Sequence, residues 1–198
     1  MAGFAAVSAT GKSIERYLNA CFTDTQPING SVTKAVLTTT VDLDQDNVNS
    51  LVAPPALSIF LYRIDSNKTV RAAWSGVGTY NGRGYLPLDL HYLLSAWADN
   101  AEHEHLILGR ALQCLETTPM LSGPLLHGSG GWSTNESVQL IMEDIPTEAL
   151  MRTFDSLPVK YRLSVPYVAR VVRIDSLITR PDTPVVTVVD GLVPTVEL

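Results

Sequence analysis

Two polar side chains in an otherwise apolar stretch have a spacing that suits acid–base chemistry. Asp89 and His91 stand two residues apart within residues 86–98. In a strand, such positions share a face, so the carboxylate could orient the imidazole as a general base. The sequence offers no nucleophile beside them, since it has no Gly-x-Ser-x-Gly motif and no reactive-cysteine context. The alternative is a hydrogen-bonded pair that supports a loop or a subunit contact, and we therefore expect no enzyme.

Four potential metal ligands follow one another at Glu102, His103, Glu104 and His105. Successive positions at the start of a helix point in different directions, and no second ligand cluster accompanies them. Acidic residues at a helix N-terminus also have a simpler cause, because they interact favourably with the helix dipole. We predict no metal and no cofactor.

The two cysteines, Cys21 and Cys114, both lie in apolar, helix-like surroundings. Free cysteine behaves as a small apolar side chain and is commonly buried. Two buried, reduced thiols are therefore expected, and a single disulfide is the alternative.

The element that must hold Asp89 and His91 is residues 86–98, which have two possible readings. Period 2 places Leu86, Leu88, Leu90, Tyr92, Leu94 and Ala96 on one face and a semi-polar set on the other, which is typical of a strand. A helical stripe also fits Leu86, Leu90, Leu93, Leu94 and Trp97. Pro87 near the start of the run favours the strand, as do the turn-forming residues 81–84 before it.

The remaining pattern predicts a central, mostly antiparallel sheet with helices packed on it, an α+β fold. Strands are expected at residues 32–43, 57–64, 137–145 and 163–175, and helices at 3–22, 102–117 and 147–157. The first helix carries an apolar stripe of Phe4, Val7, Gly11, Ile14, Leu18 and Cys21. Gly11 on that stripe suggests a close approach to a neighbouring backbone. Residues 65–84 predict a long ordered loop, and residues 122–135, which are rich in glycine, predict the most mobile loop.

Length and charge exclude several classes of protein. The chain has 198 residues, 45% of them apolar, and a formal net charge of −6. It suits one compact domain, and it has no general basic field for nucleic acid or anionic lipid. Its N-terminus lacks the features of a signal peptide, and no apolar run approaches the roughly 20 residues that span a bilayer. We expect a chain that is made as a soluble cytoplasmic protein, without nucleic acid or direct membrane insertion.

Arginines and the C-terminal tail are the candidate interface residues. Arg170 and Arg173 belong to a set of arginines spread over strands and loops, which either make intermolecular contacts or form a solvated surface. The tail contains an isolated β-forming run: Val185, Val186, Thr187, Val188 and Val189. Such a run can pair with an exposed strand edge on another chain, dock on its own domain, or remain disordered.

Several stretches together resemble a known family. They are residues 14–22, 57–64, 88–98, 108–113 and 163–174, with Leu-Asp-Leu-His-Tyr-Leu-Leu at 88–94 the most specific. In this order they resemble the tail-terminator, or cap, proteins of extracellular contractile injection systems, the phage-tail-like particles of the antifeeding and virulence-cassette types. The resemblance spans residues 1–176, which we expect to form the domain, with 177–198 as an extended tail.

The resemblance implies a non-enzymatic subunit that forms a hexameric ring at the baseplate-distal end of the particle. There it would contact the last rings of inner tube and sheath and stop their polymerisation. The family supplies no catalytic residues. Some relatives continue into a further C-terminal domain. The particle would assemble in the cytoplasm and can then be released. The alternative function is a cytoplasmic assembly chaperone for tube or sheath subunits.

Overall fold

The structure, a computed structural model, describes residues 2–44, 50–70 and 83–179. Its helices are α1 (Ala5–Asp24), α2 (Ala101–Thr117) and α3 (Thr147–Asp155). Its strands are β1 (Lys34–Thr38), β2 (Ala56–Ser66), β3 (Arg83–Trp97), β4 (Met120–Ser122), β5 (Ser137–Met142) and β6 (Ser164–Thr179). Short 3₁₀ turns occur at Val41–Leu43, Gly123–Leu125 and Gly128–Gly130.

The described strands form one sheet in the order β1-β2-β3-β6-β5-β4. The β1–β2 pair is parallel and the other neighbours are antiparallel. The long strands β3 and β6 lie at the centre, where each pairs with neighbours on both sides. The predicted α+β class, with a mostly antiparallel sheet and packed helices, is confirmed.

Strand β3 confirms the period-2 interpretation of residues 86–98 and excludes the helical one. Its residues Leu88, Leu90, Tyr92, Leu94 and Ala96 are buried in the main core beneath α1 and α2. Full burial of one such large apolar side chain contributes about 2 kcal/mol. The run therefore anchors the fold.

The opposite face of β3, which the sequence predicted to be semi-polar, packs against apolar side chains. Leu93 packs with Leu150 and Phe154 of α3, and Trp97 packs in a small cluster with Val52. Both faces of β3 are thus covered near its C-terminal end. We call the side of the sheet that carries Leu93 the second face.

Helix α1 confirms the predicted helix but shifts its apolar face. Ile14, Leu18 and Phe22 are buried, whereas Phe4, the first member of the predicted stripe, is 89% exposed because it precedes the helix. A Cβ at Gly11 would lie 2.9 Å from Leu37 Cδ1. The close approach at Gly11 is therefore to a side chain of β1, whereas the prediction was an approach to backbone.

Two predicted strands and one predicted loop differ in length from the observed elements. The strand predicted at 32–43 is reduced to Lys34–Thr38 and is followed by the 3₁₀ turn Val41–Leu43, because Thr39 N and Oγ1 both donate to Asp42 Oδ2. The strand predicted at 137–145 ends at Met142. The loop predicted at residues 65–84 is wrong at both ends, since β2 continues through Ser66, residues 68–70 are helical and β3 begins at Arg83. Residues 71–82 of that prediction lie outside the described residues.

The glycine-rich segment 122–135 is attached to α1, which argues against the mobile loop predicted from its composition. His127 N donates to Ser13 Oγ at 2.7 Å, and Arg16 donates to the carbonyl oxygens of Pro124 and Leu126. Within the segment, Trp132 Nε1 donates to His127 O at 2.8 Å. These bonds hold the two 3₁₀ turns against the helix.

Strand β6 runs beyond its predicted end at residue 175. It pairs with β3 as far as the Arg83–Thr179 position, so the predicted boundary between residues 176 and 177 falls inside the strand. Residues 180–198, including Val185, Val186, Thr187, Val188 and Val189, lie outside the described residues.

Candidate assembly interface

Asp89 and His91 share a strand face as predicted, but they do not pair with each other. Both carboxylate oxygens of Asp89 accept hydrogen bonds from Asn67 Nδ2, at 3.1 and 3.0 Å. Asn67 Oδ1 in turn accepts from Val70 N at 2.9 Å. Asp89 therefore fixes the turn that follows β2, which is the loop-supporting role considered from the sequence.

His91 instead lies between two other carboxylates. Its Nδ1 is 2.7 Å from Glu143 Oε2, and its Nε2 is 3.3 Å from Asp65 Oδ2. Arg63 completes the group through Asp65, with Nε at 3.0 Å from Oδ2. The imidazole is 6% exposed and meets the ring of Tyr62 edge-on. We call Arg63, Asp65, His91 and Glu143 the histidine cluster.

The histidine cluster is arranged to join strands. Arg63 and Asp65 lie on β2, His91 lies on β3, and Glu143 reaches it from the end of β5 across β6. The hydrogen-bond partners of His91 are Arg63 and Glu143. Among the described residues, no serine or threonine hydroxyl and no cysteine thiol is bonded to the imidazole as a nucleophile would be. The geometry is that of a cross-strand hydrogen-bonded contact. Sequence reasoning missed it because Glu143 is 52 residues away from His91 along the chain.

The Glu102–His105 run forms helix-end contacts. Asn100 caps α2 by accepting from His103 N at 2.8 Å, and its Nδ2 lies 3.1 Å from His103 Nδ1. Glu104 pairs with Arg162, whose guanidinium lies over the ring of Trp97. Across the described ranges, no group of three or more His, Cys, Asp or Glu side chains is arranged to hold a metal.

The two cysteines lie side by side between α1 and α2. Both are free; Cys114 is buried and Cys21 is half-buried, in a cavity of about 400 Å³ that also contacts Tyr17 and Arg110. Burial raises the pKa of the Cys114 thiol to about 12, and a hydrogen bond with Cys21 adds to the rise. The expectation of reduced thiols is met, with Cys21 less buried than expected.

The two predicted interface arginines on β6 have different surroundings. Arg173 is held within the chain: Nε lies 2.8 Å from Asp175 Oδ1, a guanidinium nitrogen lies 3.3 Å from Glu136 Oε1, and the guanidinium lies over Tyr85. Arg170 is exposed, and no described residue forms an ion pair with it. Arg170 is thus the one of the two that is available to a partner.

Arg170 contributes to an open trough at the edge of the sheet. The trough has a volume of about 500 Å³ and is lined by Asn67, Thr69, Val70, Met120, Ser137, Gln139, Arg170 and Val171. Register places Met120, Gln139 and Arg170 side by side across β4, β5 and β6. Asp89 supports the wall of the trough through Asn67.

At the opposite side of the sheet, the outer edge of β1 is sealed by side chains. Asn19 Nδ2 donates to Ala35 O at 2.8 Å, and Asn19 Oδ1 accepts from Ala35 N at 3.0 Å. Glu15 Oε1 accepts from Leu37 N at 3.0 Å. An unpaired edge is a template for another strand. Here the α1 side chains occupy those backbone groups.

The long strand β6 also extends past its partner β5, which pairs with it only from Tyr167 to Arg170. Beyond that point Asp175 N donates to Ala2 O at 2.9 Å, so the N-terminal segment covers part of this edge. Strand β4 is the last strand of the sheet on this side and has three residues. Within the described residues, its outer edge is left without a neighbouring strand.

The fold is an α+β domain in which side chains cover the outer edge of β1 and an open polar trough lies beside β4. Residues 9–188 match the family described as the Pvc16 N-terminal domain, and the chain belongs to that family. No curated protein matches the chain.

Two solved structures share the fold. One is the sheath/tube terminator of the PVC extracellular contractile injection system in its extended state, with a TM-score of 0.54 and 20% identity over 94% of this chain and 64% of that one. The other is the tube-terminating cap of the anti-feeding prophage, with a TM-score of 0.52 and 21% identity over 91% of this chain and 57% of that one. The predicted resemblance to tail terminators is confirmed.

This chain therefore spans about 64% and 57% of the two terminator structures that it matches. Within the residues that the structure describes, no helix is both long enough and apolar enough to cross a membrane.

Proposed function

We propose that this protein is a structural terminator subunit of a contractile injection particle. It forms a hexameric ring at the baseplate-distal end, contacts the last rings of inner tube and sheath, and stops their polymerisation. Support comes from its membership of the Pvc16 N-terminal domain family and from the fold that it shares with a sheath/tube terminator and a tube-terminating cap.

The observation that carries this proposal is the sealed outer edge of β1. A subunit that grows an array by strand pairing must offer the next subunit an open edge, because backbone N–H and C=O groups need partners. Asn19 and Glu15 already occupy these groups of Ala35 and Leu37. A ring of such subunits presents no template for further strand addition at this edge, and closed rotational symmetry matches a six-fold tube.

The domain, predicted as residues 1–176 and continued by β6 to Thr179, carries these contacts, and the remainder of residues 177–198 acts as an extended tail. In this proposal the run of Val185, Val186, Thr187, Val188 and Val189 pairs with a strand edge on another subunit. Arg170 contacts a partner directly. Arg173 contributes indirectly, because its ion pairs with Glu136 and Asp175 stabilise the conformation of β6.

The protein works without catalysis and without a cofactor. Its partners are other copies of itself, the inner tube protein and the sheath protein. It assembles in the cytoplasm and is then incorporated into an extracellular particle.

Particle length in a strain that lacks this gene tests the proposal. Electron microscopy is expected to show overlong or ragged tubes and sheaths, and expression of the wild-type gene is expected to restore normal length. Mass spectrometry of purified wild-type particles is expected to detect the protein at a few copies per particle. Normal length together with absence from finished particles would reject termination and favour the assembly chaperone.

A further inference from the structure

Arg170 is the exception among the arginines whose side chains the structure describes. Each of the other arginines whose side chains are described has a partner: Arg63, Arg110, Arg152, Arg162 and Arg173 pair with carboxylates, and Arg16 donates to backbone carbonyls. Arg170 has none among the described residues. A planar guanidinium presents five donors that match a carboxylate, so Arg170 has the chemistry to receive one from outside the domain.

Among the described residues that line the trough, Arg170 is the only charged one. Its remaining lining consists of small polar and apolar side chains: Asn67, Thr69, Val70, Met120, Ser137, Gln139 and Val171. Met120 is 50% exposed there. A segment that fits this trough therefore combines small apolar side chains with one carboxylate.

The trough also lies beside the sheet edge that remains open. Met120 belongs to β4, the outermost strand on this side. The edge at β1 is sealed by Asn19 and Glu15, and the extension of β6 is covered at Asp175 by Ala2. An extended segment that enters the trough lies next to the outer edge of β4, which no described strand covers, whereas the other two edges are occupied at these positions.

The tail of this chain has the required composition. Residues 183–190 read Thr-Pro-Val-Val-Thr-Val-Val-Asp, a β-forming run that ends in a carboxylate. We propose that the trough binds residues 183–190 of a neighbouring copy, with the Asp190 carboxylate on the Arg170 guanidinium and valines against Met120 and Val171. This inference rests on the proposed ring of copies and names the acceptor site for the tail.

Chain length by itself does not choose between a neighbouring copy and the tail of the same chain. Thr179 follows Arg170 by nine residues of strand, a distance of about 30 Å. Asp190 follows Thr179 by eleven residues, which reach at most about 40 Å when fully extended. The neighbouring copy is proposed because the ring requires contacts between copies, and the mixture of variants described below distinguishes it from docking within one chain.

Charge exchange between the two partners tests the proposal with the full-length chain. Arg170→Asp and Asp190→Arg are each expected to weaken ring formation about tenfold in sedimentation velocity, because each places like charges together. A 1:1 mixture of the two variants is expected to assemble again, since each tail then meets a trough of opposite charge. Arg152→Asp, which changes an exposed arginine on α3, is the matched control and is expected to assemble normally.

Each outcome decides the proposal. Unchanged assembly of Arg170→Asp would overturn the proposal. Recovery in the double variant Arg170→Asp with Asp190→Arg, but not in the mixture of single variants, would also overturn it, because that result indicates docking within one chain. Loss with Arg170→Asp but not with Asp190→Arg would indicate a different acidic partner and would overturn the tail as occupant. Circular dichroism melting of both variants verifies that they fold.

If the isolated wild-type chain is monomeric, ring formation cannot be measured, and a labelled peptide of residues 181–191 is used instead. Fluorescence anisotropy is expected to show binding to the full chain that Arg170→Asp weakens about tenfold. Absence of binding would overturn the proposal. Particle length in the strain that lacks the gene tests termination independently of the trough. Failure of the tail to bind the trough can therefore be distinguished from failure of the protein to terminate the particle.

Discussion

Asn19 and Ala35 form a two-way hydrogen-bond pair in which a helix side chain takes the place of a β-strand. Asn19 Nδ2 donates to Ala35 O at 2.8 Å and Asn19 Oδ1 accepts from Ala35 N at 3.0 Å. This pair closes the edge of the sheet at β1.

Replacing Asn19 should open that edge. In Asn19→Leu, both bonds to Ala35 are lost, and we expect destabilisation of about 1–3 kcal/mol in urea unfolding. We also expect concentration-dependent association in light scattering, since the freed edge can pair with another chain. Lys12→Ala, at an exposed position of the same helix, is the control. An equally stable monomeric Asn19→Leu variant would show that the pair does not protect the edge.

Removing His91 should destabilise the fold. His91→Ala leaves Glu143, whose side chain is 16% exposed, without its partner at 2.7 Å. Leaving a buried polar group without its hydrogen-bond partner costs about 1–3 kcal/mol. The variant is expected to unfold at lower urea concentration than the wild type, whereas His105→Ala, an exposed control, is expected to match it. The double variant His91→Leu with Glu143→Leu should recover part of the loss.

A His91→Ala protein with wild-type stability would contradict the structural role of the histidine cluster. If that protein also lost a hydrolytic activity present in the wild type, the acid–base interpretation of His91 would have to be reconsidered.

Two helical glycines should respond differently to alanine. A Cβ at Gly109 on α2 meets nothing within 4 Å, so Gly109→Ala is expected to stabilise the protein by about 0.5–1 kcal/mol. At Gly11 the added Cβ meets Leu37 Cδ1 at 2.9 Å, and the gain in helix propensity is offset by displacement of Leu37. Gly11→Val should be clearly destabilising in thermal unfolding. An equal gain from alanine at both sites would contradict the packing of α1 on β1.

The buried thiol of Cys114 should make the protein sensitive to alkaline pH. Its pKa is raised to about 12, while an unfolded cysteine has a pKa of about 8.5. The folded state therefore retains this proton more tightly, and the stability that it contributes is present below about pH 8.5 and is lost as the pH rises toward 12.

Urea unfolding between pH 8 and 10.5 measures this loss. The wild type is expected to lose stability more steeply with rising pH than Cys114→Ala, which has no thiol to ionise at that site. Identical slopes for the two proteins would contradict the assignment. At pH 8 the thiol should also react slowly with iodoacetamide, since the thiolate is the reactive form.

Deletion of residues 181–198 should weaken assembly more than folding. The described domain ends with β6 at Thr179, already paired with Arg83. We expect little change in the urea midpoint of the truncated chain but reduced ring formation and reduced recovery with particles. Failure of the truncated chain to fold would show that the tail belongs to its own core.

The local sequence determined those features that depend on neighbours along the chain. Alternation in residues 86–98 predicted β3 and its core face, because each buried position follows from period 2. The spacing of apolar residues and Pro119 predicted α2 to within one residue at its start. The fold class and the family resemblance followed from these same stretches.

Only the tertiary structure decided which side chains meet. Asp89 and His91 share a face, yet Asn67 and Glu143 are their partners, because the turn after β2 and the end of β5 bring those groups closer. Arg170 and Arg173 look equivalent in sequence, but Glu136 lies within reach of Arg173 alone. Local spacing fixes which face a residue occupies, whereas its charge partners come from distant strands whose order the chain pattern does not specify.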